Sequence, residues 1–259
     1  MKQYAIIVAG GSGQRMGIQL PKQFLPLAGK PVLMHTIEAF HRADVDTEII
    51  LVLPASQREY WRKLCKEYKF PIRVTMVAGG NTRFMSVKHG LDAVLMDFES
   101  YDKNSHTGGS NVLIAIHDGV RPLVEPKLIR DVFEAARQHK VAYPAVQVVD
   151  TLRKVDLDGS AKDVDRSQFK LVQTPQVFLA PVILEAYDYA CDSPLYTDDI
   201  SVVANKMGRR PCIVEGSKEN IKITTPDDLE LAEAILMVRK SRERVRDEAK
   251  KAKTTECKS

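Results

Sequence analysis

Residues 6–17, IIVAGGSGQRMG, run from an apolar stretch into four glycines with Arg15 among them, and Lys22 follows in PKQF. Glycines placed directly after a strand-like run leave no Cβ in the way of an anion, so successive backbone N–H groups can converge on phosphate oxygens. Arg15 and Lys22 would add two cations to that bed of donors, a combination suited to the concentrated charge of a triphosphate. The spacing narrows the chemistry. No Gly-Lys-Ser/Thr is present, which excludes an ordinary P-loop, and Met16 stands where a G-x-G-x-x-G fingerprint needs its third glycine. The second apolar run ends LVLP without an acidic residue, so a nicotinamide dehydrogenase is only a distant alternative.

In HDGVRP, Asp118 and Arg121 follow the run NVLIAI, and at such a strand end the aspartate reads equally as a turn residue or as a ligand contact. Open α/β sheets bind ligands at such strand ends. The six histidines, at 35, 41, 89, 106, 117 and 139, show no pairing with a nucleophile and read as structural or surface groups, with His117 beside Asp118 the one of local interest.

These residues need a scaffold. Strand-like runs at YAIIVAG, TEIILVLP, PIRVTMV, NVLIAIHD and VAYPAVQVV alternate with helical patterns over 31–42, 56–68, 82–96, 126–139 and from 226 onward. That alternation predicts an α/β fold, a mostly parallel Rossmann-like sheet flanked by helices. The helix from Pro226 is the clearest, with Thr225 as N-cap, Pro226 in the first turn and Asp227 and Asp228 at the positive end of the dipole. Two segments break the pattern. Residues 103–111 read as a polar connection. Residues 147–171 alternate on either side of DLDGS and read as an inserted β-arm turning at Asp158–Gly159. Such an arm has little core of its own and calls for a partner surface, a second subunit being the natural one.

At 259 residues the chain can bury a sizeable core. A single domain over 1–236 with the arm inserted, followed by a basic helix end or tail over 237–259, is the expected organisation. The tail holds much of the basic excess behind the net charge of +4, which leaves a roughly neutral body and no call for a nucleic-acid partner. The four cysteines are far apart, and no apolar stretch reaches the length of a membrane span or has the form of a signal peptide, so a cytoplasmic chain is expected.

The segment AGGSGQRMG…PKQFLPLAGKPVL resembles the signature of the sugar- and polyol-phosphate nucleotidylyltransferases. Six further blocks, AGGNTRFMSV, HDGVRPLV, DTLRKV, VDRSQFKLVQTPQVF, TDD and EGSKENIKITTPDDLELAE, are similar in order to those of the 2-C-methyl-D-erythritol 4-phosphate cytidylyltransferase family of isoprenoid precursor synthesis, over residues 3 to about 236. The ribitol 5-phosphate cytidylyltransferases share the glycine loop, PKQF and QTPQ and are the nearest alternative. A nucleotide-fold module without catalysis is the alternative from another class.

The resemblance implies that Ala9, Gly10, Gly11, Gly13, Arg15 and Lys22 hold CTP, with Arg15 and Lys22 on its phosphates, and that Gly80, Asn81, Ser86 and Gly119 complete the nucleotide site. It further implies that Asp118, Arg121, Thr151, Arg166 and Thr174 bind the acceptor, and that Lys222 joins Arg15 and Lys22 as a stabiliser of the reaction. Asp118 is also the expected contact of a Mg²⁺ ion, and Thr151 and Arg166, on the arm, are expected to reach a neighbouring subunit of a homodimer. Where the family commonly has alanines this chain has Gly119 and Val120, and where it has TDE this chain has Asp198–Asp199.

Overall fold

The structure, a computed structural model, describes residues 1–10, 20–101, 111–193, 195–207 and 210–256. In chain order its elements are β1 (Lys2–Val8), β2 (Pro26–Leu27), β3 (Lys30–Pro31), α1 (Val32–Ala43), β4 (Glu48–Leu53), α2 (Arg58–Glu67), β5 (Thr75–Ala78), α3 (Arg83–Tyr101), β6 (Val112–Asp118), α4 (Pro126–His139) and β7 (Val141–Gln147). There follow β8 (Arg153–Val155), β9 (Ala161–Asp163), β10 (Lys170–Val172), β11 (Gln176–Leu179), α5 (Ala180–Tyr189), α6 (Asp199–Met207), β12 (Cys212–Glu215) and α7 (Pro226–Glu256).

The main sheet is α/β as expected, with β6, β1, β4 and β5 side by side and parallel. Alternate side chains of these strands go to opposite faces. Ala5, Ile7, Ile49, Leu51, Leu53, Leu113 and Ala115 pack against α1, α2 and α4, whereas Tyr4, Ile6, Ile50, Val52, Ile114 and Ile116 pack against α3, α5 and α6. Burial on both faces is why these runs are almost continuously apolar. On α3 the buried Phe84, Val87, Leu91 and Val94 share one stripe, and Gly90 lets that helix press on β1, since a Cβ there would meet Ile6 Cγ2 at 2.6 Å.

β7 carries Pro144, which has no N–H to give to a ladder, and the neighbouring strand breaks beside it. β10 pairs antiparallel with β7 from Gln147 to Ala145, and β11 resumes the pairing at Ala142 and Val141. Residues 173–175 lie in the gap, tied by Gln173 N–H to Pro144 O at 2.8 Å. That interruption puts Gln173 and Thr174 near the end of β6, where Thr174 Oγ1 accepts from Asp118 N–H at 3.1 Å. β12 pairs parallel with the opposite edge of β7.

The strand expected over 71–77 is shorter, running from Thr75 to Ala78, and the helices α5 and α6 and the strands β11 and β12 join the pattern without having been read from periodicity. The arm stands between Gln147 and Lys170, because Lys170 and Leu171 already pair with β7. Its turn spans Asp156 to Ser160, around the expected Asp158–Gly159. Asp156 N–H donates to Ser160 O, Gly159 N–H donates to Asp156 O, and Gly159 takes the left-handed φ of +83° that closes such a loop. All residues of β8 and β9 are exposed.

At the start of α7, Asp228 accepts from the backbone N–H and the hydroxyl of both Thr224 and Thr225, so the cap is made chiefly by the aspartate reaching back. The helix runs unbroken past Met237 to Glu256. Within the expected solvated end, Arg239 is docked, donating to Glu219 Oε2 at 2.7 Å and to Leu123 O at 3.0 Å.

Candidate active site

The C-terminal ends of β5, β4, β1 and β6 converge on one edge of the sheet, and their loops stay in register. Gly79 N–H donates to Leu53 O, Ala9 N–H to Val52 O and Gly119 N–H to Val8 O, all within 2.9 Å. Ala9, Gly10, Gly80, Asn81, Asp118, Gly119 and Arg121 thus stand along a single rim. Gly11, Gly13 and Arg15 lie outside the described residues.

Lys22 begins a single turn, Lys22–Phe24, whose Phe24 is buried and whose Gln23 side chain donates to Ala9 O at 2.9 Å and to Gln57 Oε1 at 2.7 Å. This fastens the lysine beside the end of β1. Ser86, on the first turn of α3, closes the rim from the other face: its hydroxyl accepts from Gly80 N–H at 3.1 Å and lies 3.9 Å from where a Gly10 Cβ would be. Gly80 itself has no room for a side chain, as a Cβ would meet Met85 Cβ at 2.4 Å.

Asp118 is the charged centre. Its Oδ2 is 3.0 Å from Lys222 Nζ and 3.2 Å from Arg121 Nε. Burial would push its carboxyl pKa up, but the charges of Lys222, Arg83 and Arg121 more than offset that and hold it well below the usual carboxylate range. Lys222 reaches the site because the segment before α7 is stitched to the turn after β6, with Ile223 N–H donating to Val120 O at 2.9 Å and Ile223 buried against Leu27, Val32 and Leu123. Arg121 is steadied from the same segment, donating to Asn220 O at 2.8 Å.

Beneath Asp118 lies His117, wholly buried, its ring 5.0 Å edge-on from Phe40. Burial pushes its pKa down to about 3, so it is neutral at physiological pH. Its Nδ1 is 2.9 Å from Thr174 Oγ1 and its Nε2 is 3.3 Å from Arg121 O.

Arg83 is a feature of this rim that sequence reasoning passed over although it stands in the quoted AGGNTRFMSV block. It grips the buried Asp199 with two hydrogen bonds of 2.8 and 2.6 Å, and Tyr187 O–H donates to the same carboxylate at 2.7 Å. Gln176 completes the support, accepting from Asp199 N–H and Ile200 N–H and donating to Asp198 Oδ2. Burial would lower the Arg83 pKa, but Asp199, with Asp118 adding to the field, raises it, so its charge is fixed. Asn220, also unread, is buried between Arg121 and Thr174, donating to Thr174 O at 2.9 Å.

Thr151 and Arg166 are not brought to this cluster. Both are exposed on the arm, and Arg166 Nη1 donates to Val149 O, tying the two limbs of the arm together. Among the described residues there is no group of three or more His, Cys, Asp or Glu side chains arranged to hold a metal, and no helix is long and apolar enough to cross a membrane.

A mostly parallel α/β sheet whose strand ends gather glycines, fixed cations and one buried carboxylate defines an enzyme fold built to take phosphorylated ligands. The particular family follows from comparison with known proteins. Residues 3–238 match the 2-C-methyl-D-erythritol 4-phosphate cytidylyltransferase family, and the chain belongs to it. It is 50% identical to the 2-C-methyl-D-erythritol 4-phosphate cytidylyltransferase of Azobacteroides pseudotrichonymphae over 237 residues, 91% of this chain and all of that one. The enzyme of the same name from Bacteroides thetaiotaomicron is 48% identical over 236 residues, with 91% of this chain and all of that one covered. Among solved structures, 4-diphosphocytidyl-2C-methyl-D-erythritol synthase from Anaerococcus prevotii superposes with a TM-score of 0.73 at 30% identity, covering 91% of this chain and 96% of that one.

Proposed function

We infer that this enzyme is a cytidylyltransferase that moves CMP from CTP onto 2-C-methyl-D-erythritol 4-phosphate, releasing pyrophosphate, in isoprenoid precursor synthesis. The observation that carries the reading is the family match over residues 3–238, which spans the whole strand-end rim around Asp118 and Lys222.

The acceptor phosphate attacks the α-phosphorus of CTP, the bond to the pyrophosphate oxygen breaks, and pyrophosphate departs with that electron pair. A phosphomonoester has its second pKa near ~6, so the nucleophile is already ionised and no side chain has to take a proton. His117, fully buried with both ring nitrogens engaged within the protein, is not placed to take a proton from a ligand. What the protein must supply is position and positive charge, because two anions meet and charge grows on the phosphorus. Lys22 and Arg15 would hold the triphosphate from the β1 side, with Gly10, Gly11 and Gly13 giving backbone donors. Lys222 and Arg121 would face the acceptor from the β6 side, and Gly80, Asn81, Ser86 and Gly119 would line the nucleoside.

Asp118 fits a divalent cation: both of its ion pairs fall on Oδ2, and Mg²⁺ takes one or two carboxylates together with phosphate oxygens and water. Bound there, the ion would draw charge from the phosphates of CTP. The arm would complete the acceptor site in a homodimer, delivering Thr151 and Arg166 to a neighbouring subunit. In support, both strands of the arm are exposed, and it shows solvent the apolar Val149, Val155 and Leu157.

Pyrophosphate release with CTP and Mg²⁺ is the test, comparing 2-C-methyl-D-erythritol 4-phosphate with ribitol 5-phosphate. Release with the first is expected; release only with the second would move the enzyme to polyol-phosphate activation.

A further inference from the structure

Four residues around the strand end of β6 close a hydrogen-bonded ring. Asp118 N–H donates to Thr174 Oγ1 at 3.1 Å, Thr174 Oγ1 is 2.9 Å from His117 Nδ1, His117 Nε2 is 3.3 Å from Arg121 O, and Arg121 Nε donates to Asp118 Oδ2 at 3.2 Å. For the neutral imidazole expected of a fully buried ring, the heavy atoms decide every hydrogen in it. A backbone N–H can only donate, so Thr174 Oγ1 accepts from Asp118; a carbonyl can only accept, so Nε2 of His117 carries the imidazole hydrogen. The neutral ring then has Nδ1 as its acceptor, and the Thr174 hydroxyl hydrogen turns toward it.

We propose that His117 is a positioning residue of the transfer reaction, holding Thr174, the Asp118 backbone and the Arg121 carbonyl in the one arrangement that aims Asp118 and Arg121 at the acceptor. The proposal rests on the function assigned above and extends it to a residue that touches no ligand, since His117 is fully buried. One consequence concerns Thr174. Its hydroxyl hydrogen is committed to His117, so in this arrangement the threonine fixes Asp118 instead of donating to a substrate phosphate. The ring is braced from outside by Asn220, which accepts from Arg121 Nη1 at 2.8 Å through its carbonyl and donates to Thr174 O at 2.9 Å, so a fault at His117 is transmitted to Arg121 and Asp118 together.

The experiment has two parts. First, ¹⁵N spectra of the imidazole in the resting full-length protein at pH 7.5 should show the Nε2–H tautomer; an Nδ1–H tautomer overturns the proposal even in an active enzyme, so this reading stands apart from whether the assigned reaction is confirmed. Second, steady-state kinetics of His117→Leu should show KM for the sugar phosphate raised about tenfold, the scale of losing an orienting partner, with KM for CTP raised several-fold less, because His117 holds Arg121 directly and reaches Asp118 only through Thr174. His117→Asn keeps an acceptor at the δ position and should recover part of that loss. Both KM values unchanged in His117→Leu, or both raised by the same factor as for a generally loosened fold, would refute the assignment.

Discussion

Lys222 Nζ stands 3.0 Å from Asp118 Oδ2, although Asp118 ends a central strand and Lys222 lies on the connection into α7. What brings them together is backbone and apolar: the Ile223 N–H to Val120 O bond and the burial of Ile223. The ion pair is a consequence of that stitching. Lys222→Met should therefore melt within a few degrees of the parent while kcat/KM falls about a hundredfold, the usual scale for one removed electrostatic stabiliser. A melting temperature that drops with activity intact would make the pair structural.

Lys22 gives the companion case on the other side of the rim. Its turn is held by buried Phe24 and by Gln23, whose bonds to Ala9 O and Gln57 do not involve the lysine side chain. Lys22→Ala should cost about a hundredfold or more in kcat/KM, with stability changed by about 0.5 kcal/mol or less. Near-normal turnover would remove Lys22 from the phosphate site.

Acid should weaken the fold in a window belonging mainly to His117. Burial pushes its folded pKa down to about 3, below its unfolded value near ~6.5, so on acidification the unfolded chain takes up the proton first. Stability from this group is full above about pH 6.5 and is lost as pH falls toward 3, by on the order of 1 kcal/mol per pH unit. His35, also lowered by burial, acts in the same direction. Asp118, whose pKa is depressed below the usual carboxylate range, enters only at lower pH. Denaturant melts between pH 4.5 and 7 should show this slope, and His117→Asn should flatten it; an unchanged slope would place the acid sensitivity elsewhere.

Gly119 is held by a close approach, not by an unusual φ. A Cβ there would meet Ala9 Cβ at 2.8 Å, Leu33 Cδ1 at 3.2 Å and Val8 O at 3.2 Å. Gly119→Ala should cost about 1–3 kcal/mol by overpacking. Adding Ala9→Gly removes the nearest atom and should recover at least about 0.5 kcal/mol beyond additivity, which a double-mutant cycle in urea would register.

Asp199→Asn should be the most destabilising single change on the rim, at about 3 kcal/mol, because it removes the buried partner of the Arg83 guanidinium and disturbs Tyr187 with it. Urea unfolding would measure it, and a loss below about 1 kcal/mol would mean that Arg83 finds solvent instead.

The Arg83–Asp199 pair also marks where reading the sequence stops. The core strands were legible because each is apolar on both faces, and Asp118 because it ends such a run. Asp158–Gly159 announced a turn, yet its geometry depended on which residue took the left-handed conformation, and that residue is Gly159 alone. Arg83, Asp199, Gln176 and Asn220 carried no local signal: each derives its role from a partner distant in the chain, as Arg83 does from Asp199 across 116 positions. Pro144 is intermediate. It sits plainly within a strand-like run, but that its missing N–H would open a gap and deliver Thr174 to Asp118 follows only from the pairing of β7 with β10 and β11.

Arg166 and Lys222 make no contact with one another within the chain, so the proposed homodimer can be tested by complementation. Arg166→Ala leaves the Asp118–Lys222 cluster whole and spoils only the arm; Lys222→Met does the reverse. If the arm serves the neighbouring subunit, a dimer holding one of each variant has one site built from two intact halves and one that carries both lesions. Random mixing after reversible dissociation would then restore about a quarter of the parent activity from two nearly inactive proteins. No recovery in mixtures shown by mass to contain the mixed dimer would mean that each arm serves its own chain, and a monomer at working concentration would remove the arm from the acceptor site altogether.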